Sequence, residues 1–147
     1  QMVRNVDQTV AFLKHLNFER FIQHHGPLPG AGPKVLQLEH RPADTGDIEL
    51  AILQPEACME GSLELVEGLH HPIERLMVPP DGGRGLRSLC LQVDHIEACY
   101  EGLLASQWCD QIIHPLALRA LSGVLSTLSF AIAAPDGGRL DVYQPTT

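Results

Sequence analysis

Two carboxylates stand on segments that could present them to a ligand. Glu64 lies within Ser62-Leu63-Glu64-Leu65-Val66-Glu67, and Asp141 within Arg139-Leu140-Asp141-Val142-Tyr143-Gln144. In both, acid and apolar residues alternate, so an extended chain turns the acid to one face and its neighbours to the other. A carboxylate held this way can act as a general base or as a ligand for a divalent ion. Asp141 shares its face with Arg139 and Tyr143; by the same alternation Ser88, Cys90 and Gln92 share another. A buried carboxylate must be hydrogen-bonded or keep its proton, and Arg139, two residues away, is the available partner. The eight histidines are less informative. His24-His25 and His70-His71 are adjacent pairs, which a strand points to opposite faces. His15 and His95 fall at helix ends, and His114 precedes Pro115 without an evident partner. Trp108 reads as core packing.

The elements that must carry these residues occur twice. Ala51-Ile52-Leu53-Gln54-Pro55-Glu56 returns as Ala131-Ile132-Ala133-Ala134-Pro135-Asp136, 80 residues on. Val6, Val10 and Leu13 match Ile96, Tyr100 and Leu103 at 90, and Glu64 matches Asp141 at 77. Helix, strand and hairpin recur in one order, so the chain is an internal duplication. Val6 to Leu16 has helical spacing, with Asn5 as cap. Phe18 to His25, Ile48 to Gln54 and Ser62 to Glu67 read as strands; Val35 to Glu39 is ambiguous. Leu89 to Val93 is a strand, and Asp94-x-x-Glu97 is a capping box opening a helix with Ile96, Tyr100, Leu103 and Leu104 inward. Gln111 to His114 reads as a strand edge, Leu125 to Ala133 as a strand, and Leu140 to Tyr143 closes the chain. Asp136-Gly137-Gly138-Arg139 is a hairpin turn, and Asp81-Gly82-Gly83-Arg84 repeats it. Neither has phosphate-loop spacing.

The expected architecture is α+β: two tandem β-α-β-β-β modules whose curved mixed sheets enclose a cleft. The domain spans 1–147, with module one at 1–68, a Pro- and Gly-rich connector at 69–85 and module two at 86–147. A net charge of −8, with eight Arg and two Lys scattered, argues against a nucleic-acid partner. No apolar run is long enough to span a bilayer. Cys58, Cys90, Cys99 and Cys109 lack paired spacing, and read as buried free thiols of a reducing, cytoplasmic compartment. The chain opens in what reads as the middle of a strand.

Two such modules, with a Pro-Asp-Gly-Gly turn before a final acidic strand, resemble the vicinal oxygen chelate superfamily. That group holds glyoxalase I, extradiol dioxygenases, methylmalonyl-CoA epimerase, and bleomycin and fosfomycin resistance proteins. The resemblance rests on Val3 to Phe12, Gly61 to Glu67, Leu89 to Glu97 and Ala134 to Pro145. It implies a divalent metal held at four strand positions by His, Glu or Gln. Carried over, these positions hold Glu64, Ser88 in place of His, and Asp141 in place of Glu. The fourth falls upstream of Gln1. Asp is shorter than Glu by roughly 1.5 Å of reach, and Ser is a poor ligand for metals that favour imidazole. Glu64 is thus the one standard ligand, Asp141 a weak one.

The expectation is therefore a small-molecule binding or sequestering protein of the glyoxalase/bleomycin-resistance type, with a degraded metal site and no cofactor. Its ligand is neutral or cationic, contacted by Ser88, Cys90, Gln92, Arg139, Asp141 and Tyr143. The alternative is a lyase, isomerase or ring-cleaving dioxygenase that uses one divalent metal and Glu64 as base or ligand. A third class is a structural dimer module. The family resemblance and a short first strand together imply a homodimer.

Overall fold

The computed structural model describes residues 3–27, 47–55, 60–68, 88–120 and 126–146. Val35–Glu39, Cys58, His70, His71, the connector and the turn at 81–84 lie outside them. The described elements run α1 (Val6–Leu13), a 3-10 turn (Lys14–Leu16), β1 (Phe18–Gly26), β2 (Ile48–Pro55), β3 (Leu63–Gly68), β4 (Ser88–Gln92), α2 (Ile96–Leu104), a second 3-10 turn (Cys109–Gln111), β5 (Ile112–Ala120), β6 (Ser126–Ala133) and β7 (Arg139–Pro145). The strands form two sheets, ordered β1-β2-β3 and β4-β7-β6-β5. The fold is mixed α+β, as expected. No helix among the described residues is long and apolar enough to cross a membrane.

The chain divides into two compact units: Gln1–Val10 with Phe18–Arg75, and Ala11–Asn17 with Leu76–Thr147. Helix α1 therefore supplies residues to both.

In the first unit all three strands are antiparallel. Ala51, Leu53 and Leu65 are fully buried on the face towards α1, from which Arg20, opposite Leu53, pairs with Asp7 of the helix. Asn5 caps α1 by accepting the Gln8 N–H at 2.7 Å.

In the second unit β4 runs parallel to β7, and the other pairings are antiparallel. Helix α2 packs on one face through Ile96, Cys99 and Leu103, against β6, β7 and the first 3-10 turn. Tyr100 stacks on Phe130 with centroids 5.3 Å apart, and Trp108 meets Phe12 edge-on at 5.5 Å. Trp108 is buried core, as expected. Leu104 is exposed and Cys99 takes the inward place, correcting the expected inward set. Asp94 does not cap α2 either. The cap residue is His95, which makes no side-chain cap bond, and Gln144 Oε1 accepts the Ile96 N–H at 3.1 Å instead.

That bond is one of a matched set. Val6 N–H donates to Glu67 Oε2 at 2.7 Å, where Val6 and Glu67 are the counterparts of Ile96 and Gln144. Val3 N–H donates to Val66 O, and Val93 N–H to Tyr143 O. These pairs keep the offsets of 90 for the helices and 77 for the last strands. The middle strands do not keep 80. Leu65 pairs with Ala51 and its counterpart Val142 with Phe130, so the offset is 130 − 51 = 79. The repeated hexapeptide is thus one residue out of structural register, a slip that would exchange the two faces. Burial agrees: Ala51 and Leu53 are buried like Phe130 and Ile132. A β-bulge recurs as well, between Arg20 and Ile22 in β1 and between Ile112 and His114 in β5.

Candidate functional site

The second sheet leaves one face free of α2. Leu140, Val142, Phe130 and Ile132 point under the helix, so their neighbours in sequence point away. The ladders arrange that face in rows. Ser88 lies beside Arg139 and Ala133. Cys90 lies beside Asp141, Ala131 and His114. Gln92 lies beside Tyr143, Ser129 and Ala117. Six of the seven expected site residues therefore share one surface: Ser88, Cys90, Gln92, Arg139, Asp141 and Tyr143. The parallel pairing of β4 with β7 brings the two triplets into register. Small side chains on β6 and β5 form the floor beside them.

Asp141 is the electrostatic centre of this face. Arg139 Nε donates to both carboxylate oxygens at 3.0 Å, and Nη2 donates to Oδ1 at 2.6 Å. The expected partnership of Arg139 with Asp141 is therefore present in full, because i and i+2 share a face. The Arg139 bonds hold the Asp141 pKa below the usual carboxylate range, burial opposes them, and Ser88 and the charge of His114 assist. Arg139 is pushed up by the same pair. His114 thus has a neighbour that sequence spacing did not reveal.

Cys90 is exposed on this face, which corrects the reading of a buried thiol. Its neighbours Leu89 and Leu91 suggested burial, but alternation sends them to the opposite face. Cys99 is buried and Cys109 half-buried; all three are free.

Glu64 belongs to the first unit. It is exposed, opposite Ile52, on the face away from α1. Its row-mates there are apolar, Ile52 and Ile22, and the next row on that face holds Leu50, Val66 and His24. The two sheets thus differ in character at equivalent positions. The counterpart of Arg139 in the first unit is Ser62, which brings no charge.

Sequence reasoning missed Arg119, whose Nη1 donates to Ser129 O and Oγ and whose Nη2 donates to Pro115 O at 3.0 Å. Strand β5 runs to Ala120, beyond the expected edge at His114. Leu116 and Leu118 alternate and could have signalled it, but Pro115 interrupted the pattern. Among the described residues no group of three or more His, Cys, Asp or Glu is placed to hold a metal ion.

The chain matches no protein-family model and no curated protein sequence. Solved structures do match it. A glyoxalase family protein from Bacillus cereus is 14% identical, with a TM-score of 0.68 over 100% of this chain and 91% of that one. A bleomycin resistance determinant encoded on the transposon Tn5 is 20% identical, with a TM-score of 0.55 over 99% and 93%. A glyoxalase family protein from Enterococcus faecalis is 22% identical, with a TM-score of 0.55 over 97% and 90%.

Proposed function

Because the chain has the vicinal oxygen chelate fold, we propose that it binds or sequesters a small molecule on the α2-free face of its second sheet, without a resident metal. The observation that carries this reading is the Arg139 grip on Asp141. A carboxylate that accepts three bonds from a guanidinium has few lone pairs left for a metal, and the fixed positive charge repels one. Ser88, the neighbouring donor, offers a hydroxyl where imidazole would be needed. The residues present do not fit the divalent ion that the fold family suggests. What remains is a surface of hydroxyl, thiol, amide and phenol groups around a floor of alanine and serine, which suits hydrogen bonding to a polar ligand.

The bleomycin resistance neighbour supports the binding class; the glyoxalase family neighbours support the competing enzyme reading only through fold. With Asp141 neutralised and Arg119 on the same sheet, the face favours an uncharged ligand over a cationic one. Free thiols fit a reducing, cytoplasmic setting. We further propose that the working form is a homodimer.

The test has two arms. Elemental analysis after dialysis should find Zn, Ni, Mn and Fe well below one ion per chain. A thermal-shift screen of neutral and cationic aromatic compounds should find a ligand whose stabilisation is lost in Gln92→Ala or Tyr143→Ala. One tightly held ion per chain, released by Glu64→Ala, would overturn the binding reading in favour of the enzyme.

A further inference from the structure

We propose that Arg139 is the specificity-determining residue of this face: by holding Asp141 in place and cancelling its charge, it sets the face to accept uncharged ligands and to reject cations. The inference rests on the small-molecule reading of the face and names the substrate class it takes.

Three observations carry it. First, the geometry is a fork on a carboxylate, with Nε on both oxygens and Nη2 on Oδ1. Such a pair is directional and geometrically specific. Second, the pair belongs to the site: Asp141 stands in its middle row and Arg139 in the row beside it. Arg139 is flanked by Ser88 on β4 and Ala133 on β6, and Asp141 by Cys90 and Ala131. A ligand seated on that floor therefore meets the sum of the two charges. Third, the equivalent acid in the first unit, Glu64, has Ser62 where Asp141 has Arg139, so the arginine belongs to this face and not to the repeated fold. The other charged groups on the sheet are His114, beside Ala131, and Arg119, bonded to Ser129 and Pro115. Neither makes a hydrogen bond to Asp141 in place of Arg139.

Cys90 provides the probe, since it is exposed and pairs with Asp141 on the neighbouring strand, about 4.8 Å away across the sheet. Two methanethiosulfonate reagents of similar size are used, one with a trimethylammonium-ethyl group and one with a sulfonatoethyl group. Each transfers its thio group to the Cys90 thiolate, forming a mixed disulfide and releasing methanesulfinate. Rates at the Cys90 peptide are read by mass spectrometry at low ionic strength and fixed pH. The ratio of cationic to anionic rate cancels the thiolate fraction, and His114 and Arg119 are present in every variant.

Arg139→Gln is expected to raise that ratio roughly three- to tenfold, the effect of one charge on a neighbouring strand at a protein surface. Asp141→Asn should lower it by a similar factor, and the double variant should return it to near the parent. A ratio in folded Arg139→Gln that stays within about 1.5-fold of the parent overturns the proposal. If circular dichroism shows that variant unfolded, Asp141→Asn decides: an unchanged ratio overturns it equally. No ligand is needed, so the thermal-shift screen can fail while the charge ratio behaves as expected, and the reverse outcome is equally readable.

Discussion

Asp141 and Cys90 are neighbours with opposite histories of legibility. The bond from Arg139 to Asp141 could be read from spacing, because residues two apart on a strand must share a face. The exposure of Cys90 could not be read from its apolar neighbours, which suggest burial when alternation is ignored. Burial pushes the Cys99 thiol up, whereas Cys90 faces outward. Iodoacetamide at neutral pH should therefore label Cys90 well before Cys99, by at least about tenfold in rate. Equal labelling of the two would contradict the face assignment. The Arg139–Asp141 pair governs acid behaviour. The Asp141 pKa is depressed in the folded protein, so its stabilisation is present above the ordinary carboxylate range. It is lost as pH falls through that range towards the folded value. Melting temperatures of the parent and Asp141→Asn should consequently converge between pH 6 and about pH 3, with the parent the more stable at the higher pH. Parallel curves would show that the pair contributes nothing to folding.

The two helices begin in equivalent ways that local sequence pattern does not show. The pattern Asp94-x-x-Glu97 looks like a cap, yet the α2 terminus is held from the last strand by Gln144, just as Glu67 holds α1. Local pattern could not reveal this, because the partners are distant in the chain. Asn5 was legible because its acceptor reaches the Gln8 N–H within three residues. Asn5→Ala should thus cost about 1 kcal/mol. Gln144→Leu should cost about 1–3 kcal/mol, since it leaves the half-buried Ile96 N–H without its acceptor. Asp94→Ala should stay within about 0.5 kcal/mol of the parent. Urea titrations of the three variants check this order. A large loss in Asp94→Ala with none in Gln144→Leu would restore the capping box. The strand register teaches the same lesson. The hexapeptide identity at 80 is local similarity, while the ladder at 79 answers to burial on a pleated surface, which has the stronger energetic hold.

For the whole molecule, the duplication places equivalent liabilities at two sheet edges. Among the described strands β1 and β5 are both edge strands, and both carry a bulge. The bulged residues are Phe21 and Ile113, exposed by 63% and 44%, and Leu118 further along β5 is 65% exposed. Bulges and charges are the usual means of keeping edges from uncontrolled pairing. Here the bulges are present but the side chains on them are large and apolar, which fits an edge covered by a defined partner better than one left in water. A second copy of the chain would supply such a partner by two-fold symmetry, and a stable interface would bury more than about 1,200 Å². Light scattering at micromolar concentration should therefore give twice the mass of the chain. Leu118→Lys combined with Ile113→Lys, or Phe21→Lys alone, should give the single mass with the circular dichroism spectrum unchanged, because none of these side chains is part of either buried core. A parent that scatters as a monomer, or lysine variants that all remain dimeric, would remove these edges from the interface and leave their apolar residues without a structural reason.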